Sequence, residues 1–168
     1  VVYGHDGFAG ELGHTTSIRR TGRLCNCGKV GCLESYASAI GVARTARELL
    51  EMDPKRPSSL RNMPADDITS RDVAEAASKG DALSIEVFNY TGRILGEAFA
   101  DFVAFSAPEA IVIFGGLAQA GDLIFKPTID AMEDNLLSIW KGKVKVIPSQ
   151  LPGSEAAILG SAALAWEL

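Results

Sequence analysis

Ala110-Ile111-Val112-Ile113-Phe114-Gly115-Gly116 is the stretch on which the fold class turns. A continuous apolar run of this length, broken directly by two glycines, reads as a strand buried on both faces that ends in a tight turn. Working outward, Pro108 closes the segment before it. There Asp81 caps a long helical pattern in which Val87/Phe88, Ile94/Leu95, Ala98/Phe99 and Phe102/Val103 recur at three- to four-residue spacing. Gly92 and Gly96 interrupt that pattern, each costing about 1 kcal/mol relative to alanine, and their natural return is close approach to another backbone. On the other side a helix over about Pro127 to Trp140 leads to a second strand, Lys143 to Ile147, and then to an Ala- and Leu-rich helix from Ser154. Strands alternating with helices make the class α/β.

The first half is less regular. His5-Asp6-Gly7 marks a turn and His14-Thr15-Thr16-Ser17-Ile18 a short strand, followed by a polar loop over Thr21 to Gly31. Helical character starts with Leu33-Glu34-Ser35-Tyr36-Ala37 and continues from Ile40 to Glu51, with Val42, Ala46, Leu49 and Leu50 on one face. Asp53 to Asp67 carries three prolines and reads as a mobile surface excursion. Thr69-Ser70 then caps a short helix that Gly80 stops.

At 168 residues, with 47% hydrophobic and 22% charged residues, the chain has material for one core. A net charge of −5 argues against a sequence-independent hold on nucleic-acid phosphates, so no nucleic acid is expected through this segment. No apolar run approaches the roughly 18 residues of a membrane span, and no leader pattern opens the chain. Val1-Val2-Tyr3-Gly4 reads as the end of a strand entering a turn, which points to a piece of a longer protein.

All three cysteines fall within eight residues, a distribution that suits metal ligation in a reducing, cytoplasmic compartment better than a disulfide framework. His14, Cys25, Cys27 and Cys32 form a complete tetrahedral set for Zn²⁺, with glycines at 28 and 31 letting the backbone fold round the ion. Four protein ligands close a site, so the metal would be structural. Glu11 stands three residues before the first ligand, and Glu34 two after the last. Each could accept from hydroxyls beyond the imidazole; equally, Glu34 reads as a first-turn helix acid and Glu11 as a solvated loop acid.

The segments Gly7-Phe8-Ala9-Gly10-Glu11-Leu12-Gly13-His14 and Cys25-Asn26-Cys27-Gly28-Lys29-Val30-Gly31-Cys32-Leu33-Glu34-Ser35-Tyr36-Ala37-Ser38 together resemble the signature of the ROK family of repressors, open reading frames and sugar kinases. The resemblance extends through Gly115-Gly116 and the late Ala156 to Ala163 segment. It implies the C-terminal lobe of an actin-like ATPase (ribonuclease H-like) fold, with sugar and ATP between two lobes. On matching positions Glu11, His14 and Glu34 would contact a hexose, while His14, Cys25, Cys27 and Cys32 would hold zinc. Gly115 and Gly116 would approach the nucleotide, and Gly160 lies near that side or packs a helix.

The family's general-base aspartate has no match here, so no catalytic residue is assigned and the chain alone is expected to be inactive. The activity implied is glucokinase-like transfer of phosphate from ATP, with Mg²⁺, to a hexose. The alternative is a sugar-responsive repressor whose DNA-binding domain lies elsewhere. The resemblance also implies a dimer or tetramer and gives no reason to expect a membrane partner.

Overall fold

The computed structural model describes residues 4–151 and 156–166. Among the described residues there are five α-helices and two strands, besides short 3₁₀ turns: α1 (Ala39–Met52), α2 (Ser70–Ser78), α3 (Ala82–Ser106), β1 (Ala110–Ile113), α4 (Asp122–Asn135), β2 (Lys145–Pro148) and α5 (Ala156–Trp166). Among the described residues no helix is long and apolar enough to cross a membrane. The expected strand edge at Val1 to Tyr3, and the expected start of the last helix at Ser154, lie outside the described residues.

Helix α3 is the axis. Its 25 residues span about 37 Å and carry buried side chains around most of the circumference, including Leu83, Val87, Phe88, Ile94 and Val103. Helices α1, α2 and α4 pack against it. The closest approach is to α4, because α3 presents bare backbone there. A Cβ on Gly92 would stand 2.6 Å from Cγ of Pro127, and one on Gly96 would stand 2.3 Å from the carbonyl oxygen of Thr128. Both glycines are therefore required by packing.

The starts of α2 and α3 follow the sequence closely. Thr69 and Asp72 form a reciprocal capping box at α2, and Gly80 follows the helix with a positive φ. Asp81 accepts from the backbone N–H of Ser84 at 2.9 Å to cap α3, and its other oxygen accepts from the N–H of Ser59 at 2.7 Å. That second bond pins the proline-rich excursion, which was expected to be mobile. Leu60 of the excursion is buried in the core, and Arg61 donates to the carbonyls of Leu50 and Asp53.

Other expectations are corrected. His14 to Ile18 makes no strand ladder; it forms a 3₁₀ turn over Leu12–His14 and a single antiparallel bridge, Thr16 to Cys32. Only Leu33–Ser35 of the next helical stretch forms, as another 3₁₀ turn. Helix α4 begins at Asp122, so Pro127 lies within it instead of at its start.

Strands β1 and β2 pair in parallel, Ala110 opposite Lys145, joined by α4 as a βαβ unit. The strand expected to be buried on both faces is not. Ile111 and Ile113 pack against the core, whereas Val112 is 56% and Phe114 48% exposed, because alternate residues face opposite sides and the described elements cover one side.

Two outcomes follow from these contacts. Gly96→Ala is expected to lower the unfolding free energy by about 1–3 kcal/mol, whereas Gly160→Ala, whose new Cβ meets nothing within 4 Å, should be neutral or mildly stabilising in urea titrations. Burial alone would raise the Asp81 carboxyl, but the N–H groups of Ser84 and Ser59 outweigh it and hold the group down to about 2. A carboxyl depressed in the folded state contributes stability above its ordinary range and loses it as pH falls. Wild type should therefore lose more stability than Asp81→Asn between about pH 4 and pH 2.

Candidate functional site

The 3₁₀ turn of Leu12–His14 is closed by Thr15, whose hydroxyl donates to the Leu12 carbonyl at 2.7 Å, and it sets the His14 ring beside the cysteine loop. The backbone N–H groups of Ser17 and Ile18 then donate to the Gly31 carbonyl at 2.9 and 3.2 Å. A Cβ on Gly31 would lie 1.7 Å from the Ile18 carbonyl oxygen, so only glycine permits this crossing. Within the loop Leu24 bridges Val30, and the N–H of Cys25 donates to the Lys29 carbonyl at 2.8 Å. The result is a tight hairpin with Cys25 and Cys27 at its tip and Cys32 at its base. Leu33 donates back to the Thr15 carbonyl, returning the chain to the His14 segment.

These turns bring one nitrogen and three sulfurs within 4.8 Å of one another, and they come from His14, Cys25, Cys27 and Cys32. The Cys27 and Cys32 sulfurs are 3.6 Å apart, and Nδ1 of His14 is 3.8 Å from the Cys25 sulfur. Donors on a tetrahedral shell of zinc-like radius stand roughly 3.5–3.8 Å apart, so this set could hold such an ion with little movement. Cys25 and Cys32 are buried and Cys27 is exposed.

Two carboxylates flank the His14 ring. Oε1 of Glu34 accepts from the Cys25 thiol at 3.0 Å and lies 3.8 Å from Nδ1 of His14, while Oε2 of Glu11 lies 3.9 Å from Nε2 of the same ring. Glu11, His14 and Glu34 thus stand together at one end of the hairpin. The Glu34 contact is the main reason the Cys25 thiol is pushed up to about 12, and the Lys29 N–H is the main reason Cys27 falls to about 7.

Gly115 and Gly116 lie apart in sequence from this cluster, just beyond β1. Gly115 has φ +98°, the left-handed region that glycine favours, and Gly116 borders an open cleft of about 650 Å³. Thr69, Arg71 and Glu75 of α2 and its cap also line it, with Phe88 of α3 and with Gln119 and Leu123 beyond the turn. Gly160 sits on α5 with open space where a Cβ would be.

Two side chains at the site carry no signal in the sequence patterns. Lys29 donates to the His14 carbonyl at 2.6 Å, and Arg23 is buried beneath the hairpin. A basic residue in a glycine-rich loop reads as solvated, and only the folded hairpin turns Arg23 inward.

The thiol environments predict an order of reaction. In protein stripped of metal by a chelator at pH 7, iodoacetamide should alkylate the exposed Cys27 well ahead of the buried Cys25, as read by peptide mass spectrometry. Equal rates at Cys25 and Cys27 would show that the Glu34 and Lys29 contacts do not govern them.

Comparisons with known proteins identify the family of the chain. The ROK family pattern matches residues 1–167. A glucokinase of Halalkalibacterium halodurans is 41% identical over 127 residues, covering 76% of this chain and 38% of that enzyme. The crystal structure of a ROK family glucokinase from Streptomyces griseus, in complex with glucose and AMPPNP, has a TM-score of 0.85 at 30% identity, covering 97% of this chain and 53% of that one. The DNA-binding transcriptional dual regulator NagC of Escherichia coli is 32% identical over 152 residues, 90% of this chain and 36% of the regulator. The chain spans about half or less of the length of these relatives. Its architecture is that of the ROK sugar kinases, which have the actin-like ATPase fold. With the pattern running from residue 1 to residue 167 and the fold shared over nearly the whole chain, this protein belongs to the ROK family.

Proposed function

We propose that this chain is the hexose- and zinc-binding C-terminal lobe of a glucokinase-like, ATP-dependent sugar kinase. The observation that carries the reading is the placement of Glu11, His14 and Glu34 around one four-donor cluster, with two carboxylates facing opposite nitrogens of a single imidazole. Likeness to a ROK glucokinase solved with glucose and AMPPNP supports it.

His14, Cys25, Cys27 and Cys32 would hold the metal, and zinc, when bound, supplies a structural clamp that keeps the three sulfurs as thiolates. With Nδ1 committed to the cluster, Nε2 of His14 is left facing Glu11 and able to bond a hydroxyl. Glu11 and Glu34 accept from sugar hydroxyls, replacing the water those hydroxyls give up.

ATP, with Mg²⁺, would lie along the cleft beside Gly116, its phosphates toward the Gly115-Gly116 turn. Transfer depends on positioning and charge stabilisation between two lobes, and the aspartate that takes the hydroxyl proton would come from the other one. The isolated chain is accordingly inactive. The intact protein is a cytoplasmic dimer or tetramer in this reading.

A sugar-responsive repressor is the second reading, and likeness to NagC favours it. The lobe would then sense the same sugar without transferring phosphate, and a DNA-binding domain outside this chain would respond.

The kinase reading is tested by coupled assay of the intact protein with ATP and a panel of hexoses. Glu34→Gln should raise the KM of the preferred hexose roughly 10- to 150-fold, the equivalent of a charge-assisted hydrogen bond worth about 1.5–3 kcal/mol, while leaving zinc content unchanged. His14→Ala should lose both hexose affinity and zinc by elemental analysis. Hexose binding without phosphate transfer would favour the repressor, and unchanged hexose affinity in both variants would place the sugar elsewhere.

A further inference from the structure

Arg23 has no part in the metal set or in the proposed sugar contacts, yet it is the one buried charged side chain among the described residues, 7% exposed. Burying a guanidinium is unfavourable unless its donors find acceptors. Nε and Nη2 both donate to Oε2 of Glu48, and Nη2 also donates to Oγ1 of Thr45 at 2.8 Å. Nη1 donates to the carbonyls of Ser35 and Gly41, at 2.8 and 3.3 Å. The Tyr36 ring lies beneath the guanidinium at 4.5 Å, and the Tyr36 hydroxyl accepts from the backbone N–H of Arg23 at 2.7 Å.

Arg23 and these partners together span three separate segments. The backbone of Arg23 is part of the cysteine hairpin, where its carbonyl accepts from Gly31 at 2.8 Å. Ser35 and Tyr36 immediately follow Glu34. Gly41, Thr45 and Glu48 lie on α1, and Arg44 holds Glu48 from the other side at 2.8 Å. A metal in the four-donor cluster would fix His14 and the cysteines, but Glu34 is not one of the four. Its carboxylate turns with the short 3₁₀ segment that carries it, and Arg23 grips the last carbonyl of that segment.

We propose that Arg23 is a positioning residue for the hexose site. It sets where the Glu34 carboxylate stands relative to His14 and so tunes sugar affinity without touching sugar or metal. The inference rests on the reading that Glu34 receives the sugar. Lysine cannot take over the role, because a single ammonium cannot serve a carboxylate on one helix and a carbonyl on the neighbouring turn with the same planar geometry.

The test is Arg23→Lys in the intact protein, read by hexose KM, ATP KM, kcat, hexose affinity by calorimetry, and zinc content. Expected are a hexose KM and dissociation constant raised about tenfold, ATP KM and kcat within about twofold of wild type, and zinc unchanged. A hexose constant that stays within about twofold, with zinc retained, overturns the proposal. So does a parallel rise of both substrates' KM with loss of zinc, which would make Arg23 a general brace of the lobe.

If Arg23→Lys does not fold, Thr45→Val removes one bond of the fork and is read instead. A hexose KM raised about threefold with ATP KM unchanged supports the proposal, and no change overturns it. Wild-type protein that binds no hexose overturns the proposed function along with this inference, whereas wild-type binding that persists undiminished in Arg23→Lys overturns this inference alone.

Discussion

Both Ser17 and Ile18 reach for a single oxygen, the carbonyl of Gly31, and the geometry of the site descends from that meeting. It draws the base of the cysteine hairpin against the segment leaving His14, so that a histidine and three cysteines spread over nineteen residues converge within one coordination shell. The crossing is steric as much as hydrogen-bonded. Gly31 takes φ +83° and has no space for a side chain, which ties the site to a residue that performs no chemistry.

From the hairpin outward, order passes by polar contacts before it reaches apolar ones. Arg23, Glu48 and Arg44 join the hairpin to α1, and the apolar face of α1 then joins the core around α3. Burial tends to raise the Glu48 carboxyl, but its bonds to Arg23 and then Arg44 prevail and hold it below the usual carboxylate range. The charge on this joint therefore persists at neutral pH. Only the guanidinium of this pair is enclosed, the Glu48 side chain being 41% exposed, and a pair of this kind confers geometry more dependably than stability.

Features with strong local causes were legible in the sequence. The capping residues Thr69 and Asp81, the apolar spacing of α3 and the close-packing glycines Gly92 and Gly96 each act within a few residues or forbid a side chain outright. The four metal-type donors were legible because cysteine and histidine are scarce here and closely spaced. Burial of β1 was misread because an apolar tetrad looks the same whether one face or two are covered. Pro127 was misread as a helix start, although α4 accommodates it by setting its ring against Gly92. Arg23 was illegible because its burial depends on partners 12 to 25 residues away, beyond any local period.

The glycine-lined seam between α3 and α4 has a mechanical meaning as well as a packing one. Where most helix pairs are separated by a cushion of side chains that can change rotamer, here the Thr128 carbonyl oxygen lies 2.3 Å from where a Cβ on Gly96 would stand, and the Pro127 ring fills the notch at Gly92. Sliding one helix along the other would drive backbone into backbone, so the pair behaves as a single stiff beam. One end of the beam leads into β1 and the glycine turn, and its flank supports α1 beneath the cysteine hairpin. Distortion applied at either place is passed on as tilt of the whole beam instead of being absorbed within it.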